Sequence, residues 1–466
     1  MSSVPCIVVA GTHSGVGKTS VATALMNAFV RRGLRVQGFK VGPDFIDPGF
    51  HRIATGRASH NLDGWMLSRT ANLSLYARAS QDADLCIVEG VMGLFDGRSA
   101  TSESGSTAEL AKWIGAPVVL VVDGSAMARS VAALVHGFES FDPELRISGV
   151  LFNRISGEKH FSYLRDSTRA HCQATLLGYL ERDSQVKLPE RHLGLHLADE
   201  VLTPEMLGNL AEWVQRSVDL DHVMQLARSA EAPYEGNTRE ESLPAKARAR
   251  IAIAKDLAFQ FYYEDNLDRL RRAGAELIEF SPIDDSTLPD GIGGVYFGGG
   301  YPELHAAALA ANKSMRDSVR AFAEADGPIY AECGGFMYLT EGIVDQNGRQ
   351  HEMCGLFPTR ARMHQRLAGL GYAELEVISS GSWLPSGQLM RGHEFRYSSI
   401  DPMPDTLPRV YEVRRASRNE MDGFSLRNLV ASYFHVHFGS CPELPKALVA
   451  AASVMLQLRS ETGRTF

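Results

Sequence analysis

Two short stretches of this 466-residue chain carry residue types that do chemistry, at spacings that allow it. The first is Gly11-Thr12-His13-Ser14-Gly15-Val16-Gly17-Lys18-Thr19, set between the apolar run Cys6 to Ala10 and a segment with helical periodicity. Glycines there let backbone N–H groups turn inward around phosphate oxygens, and the N-terminus of the following helix adds its positive dipole. Lys18 can reach β- and γ-phosphates, and Thr19 can ligate Mg²⁺. The pattern is that of a nucleotide phosphate loop, GxxxxGK[ST], with Thr12 standing where the first glycine would be. Thr12, Gly15, Gly17, Lys18 and Thr19 are the expected nucleotide-binding residues; the competing reading is a glycine turn with a surface lysine.

The second stretch is Ala331-Glu332-Cys333-Gly334-Gly335, directly after the strand-like Pro328 to Ala331. Small residues around a nucleophile at a strand-to-helix turn permit the strained geometry that exposes it. A helix starting at the thiol favours the thiolate. Upstream, Gly298-Gly299-Gly300 can aim N–H groups at a developing oxyanion, so Gly300 and Gly334 are the expected donors. The base is expected about 100 residues later, in Tyr433-Phe434-His435-Val436-His437-Phe438. Alternate residues of a strand face opposite ways, so only one of His435 and His437 can face Cys333.

Other candidates sit at the ends of apolar strands, where α/β sheets bind ligands. Lys40, Asp44 and Asp47 follow one strand, and Glu89 and Asp96 follow another. Mg²⁺ takes one or two protein carboxylates besides phosphate oxygens. With Thr19, Glu89 is the first choice as ligand and Asp47 the second. Lys40, Asp44 and Asp96 are candidates for contacting the substrate or intermediate, against turn capping for the two aspartates.

Positioning these residues requires alternating strands and helices. Strands are expected at 6–10, 36–41, 85–88, 117–122 and 147–152, with a helix over 18–32 closed by Gly33. The alternation predicts a parallel sheet covered by helices on both faces. It stops in a polar Pro- and Gly-containing stretch over 229–248, which reads as a linker. It restarts with strands at 251–254, 276–280, 294–297 and 328–331. The expected architecture is α/β in two domains, 1–228 and 249–466. Net charge of −8 without a basic stripe points to no nucleic-acid partner. No apolar run reaches the roughly 18 residues of a membrane helix, so no membrane partner is expected. The first residues lack a signal-like pattern, which predicts a cytoplasmic address. Six cysteines without CxxC spacing argue against a zinc site or disulfide scaffold.

Taken in order, the phosphate loop, Val41-Gly42-Pro43-Asp44, Glu89 to Gly97, Leu188 to Gly194, Gly298 to Glu303, Glu332 to Gly335 and Gly392-His393-Glu394-Phe395 resemble the cobyrinic acid a,c-diamide synthase family. The resemblance runs nearly end to end. It implies a dethiobiotin-synthetase-like N-terminal domain and a C-terminal domain similar to class I glutamine amidotransferases. It implies Cys333 as nucleophile on the amide of L-glutamine, and His435, in the family's Tyr-x-His pattern, as its base. Class I enzymes often place a Glu two residues after that histidine, where this chain has His437, so the third triad member is open. The implied reaction uses Mg²⁺ and ATP to phosphorylate two acetate carboxylates of a corrinoid, which ammonia then displaces along a protected path between domains. A metal-free macrocycle, hydrogenobyrinic acid, is an alternative substrate. A regulatory ATPase with a non-catalytic amidotransferase-like domain is an alternative of another class. A homodimer is among the assemblies the sequence leaves open.

Overall fold

The computed structural model describes residues 4–186, 188, 202–231, 247–378, 383–415 and 419–462. Most of the expected linker, and the Pro189 to Gly194 part of the motifs above, lie outside these residues. The chain separates into two compact units, 1–238 and 239–466.

The first unit is built on seven strands: β1 (Cys6–Gly11), β2 (Val36–Val41), β3 (His60–Leu62), β4 (Leu85–Glu89), β5 (Val118–Asp123), β6 (Ile147–Ile155) and β7 (Thr175–Glu181). Their order is β3-β2-β4-β1-β5-β6-β7, every pair parallel. β1, β2 and β4 are buried along their whole length, as strands covered by helices on both faces must be. The chain leaves β1 toward β2, then returns to place β4 against β1 and β5 on its other side. The carboxyl ends of β1 and β4 therefore meet at the point where strand order reverses, the position where open α/β sheets bind ligands. The helix Lys18–Arg31 starts there and stops at Gly33, whose φ is 84°.

The second unit continues with β8 (Ala249–Ala254), β9 (Ala275–Phe280), β10 (Gly294–Phe297), β11 (Ile329–Glu332), β12 (Thr340–Val344), β13 (Gln350–Glu352), β14 (Phe357–Met363), β15 (Gly369–Val377), β16 (Leu389–Arg396), β17 (Ser398–Ile400), β18 (Arg409–Arg414), β19 (Asn419–Leu426), β20 (Leu429–Ser432) and β21 (His435–Val436). Ten of them form one sheet, β21-β16-β15-β18-β19-β20-β11-β10-β8-β9. From β20 to β9 neighbours are parallel; from β20 to β21 they are antiparallel. The parallel half carries the expected strands. The antiparallel half ends in β21, which pairs with β16 so that His435 lies opposite His393. The run 433–438, expected as one strand, forms only two strand residues before a short turn at Phe438–Ser440.

Under the nucleophile's helix, Gly334–Leu339, the fully buried Phe336 stacks on Phe424 at 5.5 Å between ring centres. It meets Phe357 and Tyr433 edge-on at 5.6 and 5.5 Å. Phe336→Ala should destabilise this unit by about 3–5 kcal/mol, read as a lowered denaturation midpoint for this half of the chain.

Candidate active site

The phosphate loop closes on itself. Gly15 and Gly17 have φ of 79° and 101°, conformations an L side chain rarely adopts. A Cβ on Gly17 would also fall 2.3 Å from the Asn153 amide nitrogen. No side chain caps the helix at Gly17, so its first N–H groups face the loop. Lys18 is 7% exposed, and its ammonium donates to the carbonyls of His13 (3.1 Å) and Met92. Asn153 donates to Val16 O at 2.8 Å, and Arg154 to Gly15 O at 2.7 Å, fastening the loop from β6. Thr12 is tied by its N–H to Val121 O (3.3 Å), and its hydroxyl lies 2.9 Å from His13 Nδ1.

Next to the loop is a buried charged cluster. Thr19 Oγ1 donates to Glu89 Oε1 at 2.7 Å. The Lys40 ammonium bridges Glu89 Oε1 (3.0 Å) and Asp47 Oδ2 (2.7 Å) and donates to Gly90 O. His51 Nε2 lies 2.7 Å from Glu89 Oε2, and its Nδ1 lies 2.9 Å from Ser59 Oγ. Lys40, Asp47, His51 and Glu89 are all nearly sealed from solvent, so the pairing is what allows these charges to be buried. The structure thus brings Thr19, Lys40, Asp47 and Glu89 together. It adds His51, which sequence reasoning missed because a histidine inside the helix Asp47–Thr55 carries no motif. A hydroxyl and a carboxylate oxygen 2.7 Å apart at the loop, with a second carboxylate behind Lys40, form a hard-oxygen donor set that suits Mg²⁺. Asp44 and Asp96 are engaged locally: Asp44 Oδ1 accepts from the N–H groups of Ile46 and Asp47 (2.8 and 3.1 Å), and Asp96 Oδ2 from Gly93 N–H (2.8 Å).

In the second unit Cys333 stands between β11 and the helix Gly334–Leu339 with φ 48° and ψ −105°, a strained conformation for a residue with a side chain. The bend is possible because its neighbours are glycines. A Cβ on Gly334 would lie 2.8 Å from Pro302 Cδ and 3.0 Å from Gly300 N, and one on Gly335 2.5 Å from Phe297 O. Gly300, at φ 154°, packs so tightly that a Cβ would sit 2.0 Å from Ala258 O. Gly300 and Gly334 therefore meet beside the nucleophile.

His435 closes on the same glycine loop. A Cβ on Gly299 would fall 2.2 Å from His435 Cε1. The ring stacks on His393 at 5.0 Å, with 20° between planes. His437 turns the other way: its Nδ1 accepts from Gly439 N–H at 3.1 Å, and its ring packs on Tyr263. Asn266 holds this segment, donating to Val436 O and accepting from Phe438 N–H, each at 2.7 Å. Burial pushes the Cys333 thiol up to about 12, with Glu303 adding to the rise, and pushes the His435 imidazole down to about 3. Both shifts disfavour a resting thiolate–imidazolium pair.

Two family descriptions match the sequence. One is the CobQ/CobB/MinD/ParA nucleotide binding domain, over residues 7–195. The other is the CobB/CobQ-like glutamine amidotransferase domain, over residues 250–442. Together in one chain they define the class, an ATP-dependent ligase that takes nitrogen from glutamine. Proteins named cobyrinate a,c-diamide synthase align along almost the whole sequence. That of Syntrophotalea carbinolica is 46% identical over 96% of this chain and 98% of its own. Those of Priestia megaterium and Salmonella typhimurium are 43% and 40% identical, covering 94% and 96% of this chain and 95% and 98% of theirs. The chain belongs to the cobyrinate a,c-diamide synthase family.

Because Gly299 leaves no room for a methyl beneath His435, Gly299→Ala should displace the ring. Misplacement on the scale of 1 Å lowers such reactions by about 100-fold. Glutamine-dependent synthesis should fall accordingly, with ammonia-supported synthesis retained in parallel assays.

Proposed function

We propose that the chain converts cobyrinate to its a,c-diamide, using ATP to activate two acetate carboxylates in turn and glutamine to supply each nitrogen. What carries this reading is the pairing, in a chain aligned end to end with that family, of a phosphate loop beside buried carboxylates with a strained cysteine whose glycine loop also abuts a buried histidine.

A carboxylate is a poor acceptor for ammonia because oxide would have to leave. Transfer of the γ-phosphoryl group of ATP to it gives an acyl phosphate, whose phosphate leaves readily. The N–H groups of Thr12 to Gly17 and the Lys18 ammonium would hold the phosphates. ATP phosphates would draw Lys18 from the carbonyls of His13 and Met92, exchanging neutral acceptors for anionic ones. Thr19, Glu89 and Asp47 would hold Mg²⁺, which when bound neutralises charge on the transferring phosphoryl group. Lys40 pairs with both Glu89 and Asp47 and holds them in place. Asp44 and Asp96, next to this cluster in sequence, remain candidates for orienting the carboxylate to be activated.

At the other centre Cys333 would attack the glutamine amide, with His435 taking the thiol proton and passing it to the departing nitrogen. The N–H groups of Gly300 and Gly334 would receive the oxyanion. The ammonia must reach the acyl phosphate before water does. Among the described residues no helix is long and apolar enough to cross a membrane, and six free thiols fit a reducing compartment; we place the reaction in the cytoplasm.

Cobyrinic acid and hydrogenobyrinic acid, incubated separately with enzyme, Mg²⁺-ATP and glutamine, should be compared by mass spectrometry. Two successive losses of about one mass unit, as OH is replaced by NH₂, are expected on cobyrinic acid. An unchanged mass with ATP hydrolysed and glutamine cleaved would point to another polycarboxylate. Cys333→Ala should abolish synthesis from glutamine and leave synthesis from free ammonia. Lys18→Ala should remove both, and surviving synthesis in that variant would overturn the phosphate-loop assignment.

A further inference from the structure

Glu332, the residue before the nucleophile, is 1% exposed and lies in β11 under the histidine. Its Oε1 accepts from Tyr330 OH at 2.9 Å and from Val436 N–H at 3.0 Å. Its Oε2 accepts from Tyr296 OH at 2.9 Å and stands 3.9 Å from His435 Nδ1. All three donors are neutral, so they orient a carboxylate without cancelling its charge. The His435 ring has little freedom: Gly299 abuts its Cε1 edge and His393 covers one face. Nδ1 is the ring nitrogen near Glu332, so proton exchange with the thiol is assigned to Nε2. In cysteine and serine hydrolases a carboxylate on Nδ1 fixes the tautomer and stabilises the imidazolium. The position two residues after the histidine, where an acid would otherwise serve, holds His437, which caps its own turn.

We propose that Glu332 is the positioning carboxylate of the glutamine-cleaving centre, its Oε2 closing on His435 Nδ1 as the ring gains charge and stabilising that charged form during both proton transfers. This rests on the glutaminase reading of Cys333 and His435 given above. The Cys333 proton passes to His435 Nε2 as sulfur attacks the amide carbon. The C–N bond then breaks, and the same proton leaves with nitrogen as ammonia. Water next attacks the thioester, the S–C bond breaks, and glutamate and the thiol are restored. Glu332 exchanges no atom in either step. Burial holds its acid form up to about 7, so its charge responds to the imidazolium beside it. The groups facing it are Tyr296 from β10, Tyr330 from β11, Cys333 beyond its end, and His435 from β21. Tyr262 and Tyr411 lie within electrostatic range.

The test is steady-state glutamine hydrolysis by the full chain as a function of pH, with melting temperatures, for wild type, E332Q, E332D and Y330F. E332Q should lose about 10²- to 10⁴-fold in kcat with KM within about threefold, an unchanged melting temperature and a displaced acid limb of kcat/KM. Y330F removes a donor from Oε1 alone and should lose less than about tenfold. A purely structural Glu332 would make E332Q and Y330F fall together in melting temperature with KM rising; that pattern overturns the proposal, as does E332Q within about threefold of wild-type kcat. Should E332Q not fold, E332D decides: a kcat loss at wild-type KM supports positioning, and a KM rise at wild-type kcat refutes it. The underlying glutaminase reading fails separately, if wild type releases no ammonia or Cys333→Ala still does.

Discussion

At both reactive centres the backbone enters a helix through a residue of positive φ, and the surrounding chain is arranged to let that happen. In the first unit Gly17 makes the turn at φ 101°, with no side chain to obstruct it. In the second the turning residue is the nucleophile, so it must keep its side chain and adopt φ 48° all the same. Backbone strain of this kind costs about 1–3 kcal/mol and persists only where the surroundings over-determine it. Here the relief is moved to the neighbours: Gly334 and Gly335 admit Pro302 and the 297–300 backbone, and Gly299 admits the ring of His435. Replacing the strained residue by one with an easier φ would relax the bend and aim the sulfur elsewhere.

The two centres handle buried charge differently. Beside the phosphate loop, Lys40 is set between Asp47 and Glu89, Thr19 donates to the same Glu89 oxygen as Lys40, and His51 faces the other. That network is ionic, rigid and nearly closed to solvent, suited to holding a polyphosphate in one place. At the cysteine the Glu332 carboxylate is held by tyrosine hydroxyls and a backbone N–H instead of cations. Desolvation there disfavours the charged forms of both the imidazole and the thiol.

Much of this was legible in the sequence because it is local. The strands β2 and β10 match the expected spans to the residue, and the phosphate loop and cysteine turn lie where their glycines announce them. The antiparallel half of the second sheet was not foreseen, since its strands mix charged and apolar residues, as in Arg409–Arg414. That half matters because β16 is the partner that seats His435. His51 and Glu332 were invisible as members of their clusters for a related reason. Each meets its partner across 38 or more residues of sequence, His51 to Glu89 and Glu332 to His435, and no motif records such pairings. Asp44 and Asp96 accept hydrogen bonds from adjacent N–H groups, the turn capping that competes with the substrate contact expected of them.

The upward shift of the Cys333 thiol has a consequence for the protein's lifetime in the cell. Thiolates attack peroxides and disulfides, and burial that pushes the thiol up to about 12 disfavours the thiolate. Cys333 is also buried. Burial thus acts twice on this centre, shielding the residue from solvent oxidants and disfavouring the form of sulfur that reacts with them.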